Sequence, residues 1–276
     1  MKKIFLISTV VVLLGCEEPI QLDTDQTSTR YVIDGLITDE LTTHYVKIST
    51  SADFYAEGNT PRVSGAVVEV SDDTGNSYFF AESETNKGYY EAEFEGVPER
   101  TYSLAVTLPD GEEFTASDAM AFMPPIVDSL VWEIDEKERE DPDDEGFFYK
   151  LRIFGREPQA TKDYYLFKFY RNDTIQNFDS QTGIFFADDE LIGEFIYGLE
   201  APEYYKEGDE AQFEMYRLSR DAFLFYNDLN NIVNGDGGMF GPSPANPRSN
   251  IQHANGLALG LFQVSAVEKS SIIVGE

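Results

Sequence analysis

Asp141-Pro142-Asp143-Asp144-Glu145-Gly146 places carboxylate oxygens at the first, third and fifth positions of a loop and glycine at the sixth. A calcium loop of the EF-hand kind starts this way and closes on a bidentate carboxylate at its twelfth position. Arg152 stands there instead, and the residues after the glycine alternate like a strand rather than a helix. The acidic run Glu133–Glu145 is therefore expected to be a solvated hairpin tip, with a weak calcium site as the alternative. Paired carboxylates can also hydrolyse glycosides. With 51 Asp and Glu in 276 residues, some pair falls at a suitable separation by chance, so pairing alone carries no information. His44 and His253 are far apart in sequence and do not suggest a histidine metal site. His44 reads as a surface residue at a strand start, and His253, beside Asn250 and Asn255, as a support for a loop. No Gly-x-Ser-x-Gly, His-Glu-x-x-His or phosphate-binding loop occurs. The residues point to no catalytic site, no metal and no cofactor.

Aromatic residues are the other chemically informative group. They crowd the stretch 147–226, where they form a core or present a surface that stacks on sugars or grips peptide. Tyr204 and Tyr205, set in a polar loop, are the expected exposed contacts. Gly235–Asn250 is rich in Gly, Pro, Asn and Ser and too long for a simple turn. Exposed loops on rigid scaffolds carry binding function. Phe240 has no periodic partner there, so it is expected to be presented for contact with a partner.

Cys16 is the single cysteine of the chain and excludes an internal disulfide. It ends a basic start (Lys2, Lys3), a short apolar run (Ile4–Leu14) and Gly15, the layout of a secretory signal. The run is too short to span a bilayer, which takes roughly 20 apolar residues. Leu13-Leu14-Gly15-Cys16 resembles the lipobox of bacterial lipoproteins, although Leu14 is larger than usual there; the alternative is an ordinary cleaved signal. Residues 1–15 are then the signal peptide and 16–29 a lipidated linker. Each buried methylene of the lipid contributes about 0.8 kcal/mol, so two or more chains give stable anchoring. Glu17 and Glu18 resemble an acidic export signal that sends lipoproteins to the cell exterior, the alternative being a plain acidic linker. The formal charge of −31, more negative once Lys2 and Lys3 are removed, disfavours nucleic acid and anionic membrane surfaces.

Alternation organises the rest. Seven short strands between residues 30 and 119, punctuated by turns such as Asp73-Thr74-Gly75-Asn76 and Leu108-Pro109-Asp110-Gly111, predict an immunoglobulin-like β-sandwich over 30–122. Tyr102, just after Gly96-Val97-Pro98, forms a tyrosine corner or remains a partly exposed strand residue. Met123-Pro124-Pro125 marks the boundary. Residues 126–276 predict a β-rich domain with one docked helix. Tyr164–Arg171 is apolar on both faces and suits a strand covered on both sides. Leu218, Ala222, Phe225, Leu229 and Ile232 recur at helical spacing after Ser219, a cap candidate, and before Asn234-Gly235, a stop. Phe225 is expected in the core.

Tyr31-Val32-Ile33-Asp34-Gly35-Leu36-Ile37-Thr38, Pro61–Val68, Gly88-Tyr89-Tyr90, Gly96–Tyr102 and Met123–Ser129 follow one another in a familiar order. Met239–Pro244, Asn250-Ile251 and Leu259–Ala266 complete the set. Together they resemble a Bacteroidota family of outer-membrane lipoproteins classed as a domain of unknown function. After Gly260 an aromatic is expected, and Leu261 stands there. These motifs are structural. The resemblance implies an outer-membrane, surface-facing lipoprotein that accompanies a TonB-dependent receptor and helps capture or gate a ligand, without catalysis. The alternatives are a structural or adhesive surface protein and, further off, a hydrolase.

Overall fold

The computed structural model describes residues 30–52, 60–140, 145–176, 183–234, 245–254 and 256–275. Cys16, Glu17, Glu18, Phe240 and the calcium-loop positions 141–144 lie outside the described residues.

The chain is mainly β. The seven expected strands are β1 (Tyr31–Thr38), β2 (Leu41–Thr50), β3 (Val67–Asp72), β4 (Ser77–Glu82), β5 (Tyr89–Glu95), β6 (Thr101–Thr107) and β7 (Glu113–Ala119). They bury every second residue because the pleat turns alternate side chains to one face. In β6 and β7 the alternation is strict: Tyr102, Leu104 and Val106 face Phe114 and Ala116 in one core. The two layers are continuous through β4, which pairs with β3 on one side and β5 on the other. Tyr102 is fully buried, and its hydroxyl accepts the Val97 N–H at 2.7 Å, so the tyrosine corner forms.

After Pro125 the chain crosses to a second unit. It contains β8 (Val127–Ile134), α1 (Glu136–Arg139), β9 (Tyr149–Arg156), β10 (Tyr164–Arg171), β11 (Thr174–Ile175), β12 (Phe185–Asp188), α2 (Asp189–Ile192), β13 (Phe195–Glu200) and β14 (Glu210–Leu218). The helix α3 (Arg220–Val233) follows, then β15 (Gln252–His253), β16 (Gly256–Leu257), β17 (Leu259–Ser265) and β18 (Val267–Ile273). Sheet β13-β9-β8 packs on sheet β11-β10-β14-β18, with β12 also on β10. Tyr165, Phe167 and Phe169 enter this core while Leu166 faces the other way into a cluster with α3, so β10 is covered on both sides as expected.

One boundary changes. The expected division at 30–122 and 126–276 assigned residues 252–265 to the second unit, but they complete the first. β17 runs parallel to β1, from Val32 opposite Leu259 to Thr38 opposite Ser265, and β15 pairs with β7. Phe262 and Val264 are fully buried in the first core. The close pairing depends on Gly260: its φ is +103°, and a Cβ would lie 1.9 Å from the Ile33 carbonyl oxygen. The first unit is thus discontinuous in sequence; the second lies mostly between β7 and β15, and β18 returns to it beside β14.

Candidate functional site

β14 is where the two units meet. Ala211, Phe213 and Met215 point into the second core, so the residues between them point outward. Its neighbours set the register of three cross-strand rows on that outer face. Leu166, Tyr216 and Val267 form the first, Lys168, Glu214 and Lys269 the second, and Tyr170, Gln212 and Ser271 the third. The first row is covered by α3 and by Leu36 and Leu261 of the first unit. The third row opens into a cleft of about 310 Å3, whose lining also includes Asp173, Glu214 and Lys269. The outer face thus grades from apolar and covered to polar and open.

The charged row holds the cleft's floor. Glu214 accepts the hydroxyls of Tyr170 at 2.9 Å and Tyr216 at 2.6 Å, and the Lys269 ammonium lies 3.1 Å away. Lys269 also meets Glu40 of the first unit at 2.8 Å. Lys168 sits 4.4 Å from the centre of the Tyr216 ring, a cation–π contact. Burial alone would raise the Glu214 carboxyl, but donation from Tyr216, Lys269 and Tyr170 outweighs it and holds the group below its usual range. Burial, and then the Glu214 charge, push the Tyr170 phenol up; burial and the same carboxylate do so for Tyr216. Glu214 is therefore an ionised acceptor ringed by donors that keep their protons near neutrality.

The first unit supplies the neighbouring surface. Tyr45, Tyr89 and Glu91 line a concavity of about 390 Å3 on the outer face of β2 and β5. The Tyr45 and Tyr89 rings are 6.2 Å apart, and Arg62 lies 5.1 Å from the Tyr89 centre. Burial pushes the Tyr45 phenol up, with Asp34 and Tyr89 adding to it, and Tyr45 in turn raises Tyr170. Tyrosine faces beside fixed carboxylate, amide, hydroxyl and ammonium groups can hold a polar ligand by stacking and directed hydrogen bonds.

α3 braces this junction. Ser219 caps it, its hydroxyl accepting the Ala222 N–H at 3.2 Å, as its type and position predicted. The Phe223 ring meets Tyr164 of β10 and Phe186 of β12, while the Tyr226 hydroxyl donates to Gln263 of β17 at 2.7 Å. The helix therefore touches both units and not the second sheet alone. Of the expected stripe only Ala222 within the helix is fully buried; Phe225 is half-buried and Ile232 is 36% exposed. The docked face is rotated toward Phe223 and Tyr226, because the helix lies in a corner between two sheets.

The residues singled out from sequence lie elsewhere. Tyr205 is not an exposed contact. It is fully buried, pairs with Tyr149 across the backbone, and its hydroxyl donates to Gln176 at 2.7 Å. Tyr204 is half-buried, with its hydroxyl on Asp135 at 3.0 Å. A polar neighbourhood in sequence hid the apolar wall of β9 that the loop crosses. His44 is also buried rather than on the surface. Thr38 N–H donates to Nδ1 at 3.4 Å, which leaves Nε2 to donate to the Phe94 carbonyl at 2.9 Å; burial pushes its pKa down. His253 stacks on Phe114 and pairs with Glu112, and Asn250 exchanges two hydrogen bonds with the Phe262 backbone. In the acidic run, Asp135 caps α1 and pairs with Lys150 at 2.7 Å. Among the described residues no group of three His, Cys, Asp or Glu could hold a metal ion. Tyr170, Gln212, Glu214 and Lys269 carried no sequence signal as a set, because they come together only through strand pairing. The one hint was Lys168 inside an otherwise apolar run.

Comparison with known proteins adds the family. No protein of curated function matches the sequence. Among solved structures, a DUF4785 family protein from Legionella pneumophila subsp. pneumophila strain Philadelphia 1 aligns over 68% of this chain with 8% identity and a TM-score of 0.25. The chain spans about half, 52%, of that protein's length, and a score so low establishes no common fold. A family model described as a domain of unknown function, DUF4249, matches residues 17–271. The match takes in both units and the returning strands, and the chain belongs to the DUF4249 family.

Proposed function

We propose that this chain is a non-catalytic, lipid-anchored protein of the outer membrane, facing the cell exterior, that captures a ligand for a TonB-dependent receptor. The observation that carries the reading is the open polar row of Tyr170, Gln212 and Ser271 above the Glu214 network. Proton transfer near neutral pH calls for a group whose pKa is tuned toward 7. In this cleft burial and hydrogen bonding move Glu214 down and Tyr170 and Tyr216 up, away from that range, while burial moves Lys168 of the same row down. The polar row offers directed hydrogen bonds and a tyrosine face, which suits holding a polar ligand. The lipobox at Cys16, the acidic pair Glu17 and Glu18, and the Bacteroidota resemblance support the anchor, the surface location and the receptor partnership.

The test is cross-linking in intact cells, followed by detergent extraction of the full-length protein. A TonB-dependent receptor is expected to co-purify, together with a ligand that is lost from the Tyr170→Ala, Gln212→Ala double variant at unchanged melting temperature. Recovery without any receptor, or a ligand retained undiminished by the double variant, would sink the respective half of the reading.

A further inference from the structure

The second sandwich is open along one side. β13 pairs with β9, and among the described residues no strand pairs with its other edge. The register says which groups face that edge. The Glu157 N–H donates to the Glu194 carbonyl, so Glu194 and Ile196 are the residues that exchange bonds with β9. Antiparallel pairs alternate, so the N–H and C=O groups of Phe195 and Tyr197 point outward. Gly198, at φ +67°, ends the regular register just after them.

An apolar groove of about 320 Å3 lies beside this edge. Phe185 of β12, Leu191 and Ile192 of α2 and the core residue Phe167 line it, with Tyr197 at its rim. Tyr197 is 85% exposed and Leu191 76%. β12 is itself a lateral strand, paired only with β10 among the described residues. The groove is the gap between two strand edges, and an exposed apolar edge without lysine or proline is one that proteins normally protect. The stretch 183–205 contains Asp188, Asp189, Glu190, Glu194, Glu200 and Glu203 and no Lys or Arg. Lys162, Arg152 and Arg171, from outside this stretch, pair with Glu190, Glu200 and Glu203, and Arg156 of β9 lies 4.9 Å from the Phe195 ring centre, which leaves Glu194 at the head of the edge outside these contacts.

We propose that the β13 edge accepts a strand from a partner protein, an extended segment that is apolar at alternate positions and basic between them. Its backbone would bond to Phe195 and Tyr197. One row of its side chains would fill the groove, and its basic residues would meet the acidic rim. Main-chain bonds supply affinity in this mode and alternate pockets supply specificity. Charge argues against a second copy as the occupant, since the edge is acidic and each chain carries −31. The inference does not depend on the ligand cleft, which lies on the opposite face of β10 and is completed by β14 and β18.

The test uses the full-length lipidated chain in nanodiscs and a fluorescent nine-residue peptide alternating Val and Lys. Saturable binding is expected, at least tenfold weaker when Glu replaces Lys in the peptide and when Leu191→Asp puts a charge at the groove. Leu191 is exposed, so that variant should keep its melting temperature. N-methylating alternate peptide nitrogens in one phase should abolish binding, and in the other phase leave it within a few-fold. Equal binding by both methylated isomers, or displacement of the peptide by a fatty acid with no preference between them, would show a groove for apolar groups only and overturn the strand. Absence of peptide binding, or an edge occupied by a second copy in sedimentation, would overturn it as well.

Discussion

Asp118 links three elements through one carboxyl. It accepts the Val264 N–H of β17 at 2.9 Å and the Ala119 N–H at 3.0 Å, and the Ser219 hydroxyl at the head of α3 bonds to it. Burial pushes its pKa up to about 6, above the ordinary 3.8, with the Asp221 charge adding to the rise. Between about pH 4 and 6 the folded chain then holds a proton that the unfolded chain has released. This contribution is complete below the unfolded value, is lost as pH rises through 6, and amounts to at most about 3 kcal/mol. Asp118→Asn should therefore flatten the decline of melting temperature across that window, which thermal scans at a series of pH values would read. Asp72 works in the opposite sense. Burial alone would raise it, but bonds from Asn76 and Thr74 outweigh burial and hold it well below the carboxylate range, so its contribution is lost as acid protonates it. Gly260 gives a steric case. Any side chain there meets the Ile33 carbonyl at a positive φ, so Gly260→Ala should cost at least about 2 kcal/mol. Hydrogen exchange should show β1 and β17 opening first; unchanged protection would rule this out.

Helix α3 carries its weight at its first two turns. The Ser219 cap and fully buried Ala222 lie there, whereas the last turn ends half-exposed at Ile232 and Val233. Ser219→Ala removes an accepted N–H bond and should cost about 1 kcal/mol. Phe225→Ala should cost less than the 3–5 kcal/mol of a core aromatic, about half of it, since the ring is half-buried. Chemical denaturation of both variants checks the order. A loss at Phe225 reaching the full core range would mean that the helix is seated more deeply than its contacts show. Arg248 fastens the return of the chain to this helix, with Nε 2.7 Å and Nη2 2.8 Å from the Asp228 carboxylate. That ion pair is exposed on the arginine side and guides the chain more than it stabilises it.

The whole molecule is two units threaded through each other. A fragment of residues 30–122 lacks β15 and β17, which supply Phe262 and Val264 to its core and pair with β7 and β1. Such a fragment should fail to give a dispersed amide spectrum. Adding residues 250–266 through a flexible linker should restore it; a well-folded 30–122 fragment would contradict the interlocked reading. Among the described residues no helix is long and apolar enough to cross a membrane. On the lipid anchor proposed at Cys16, Cys16→Ser should move the protein from the membrane to the soluble fraction. Retention with the outer membrane after that change would remove the anchor from the proposal.

Alternation and turn residues determined β1 to β7 to within about three residues at each end, because a strand with one buried face writes its period into local sequence. The Ser219 cap and the central strand Tyr164–Arg171 are legible for the same local reason, whereas local sequence leaves Tyr102 open between a corner and an exposed strand residue. The pairing of β17 with β1 is not legible: they are separated by some two hundred residues, and nothing in either strand names its partner. Local sequence sets Tyr205 in a polar loop and His44 at a strand start, both of which predict exposure, and the tertiary structure buries both against other elements. The cleft has the same origin. Lys168, Glu214 and Lys269 come from three separate strands, and only register sets them in one row. Sequence determines the local period and the chemistry each residue can offer. Tertiary structure decides which residues become neighbours, since strand pairing is a long-range choice made by the total burial of both cores.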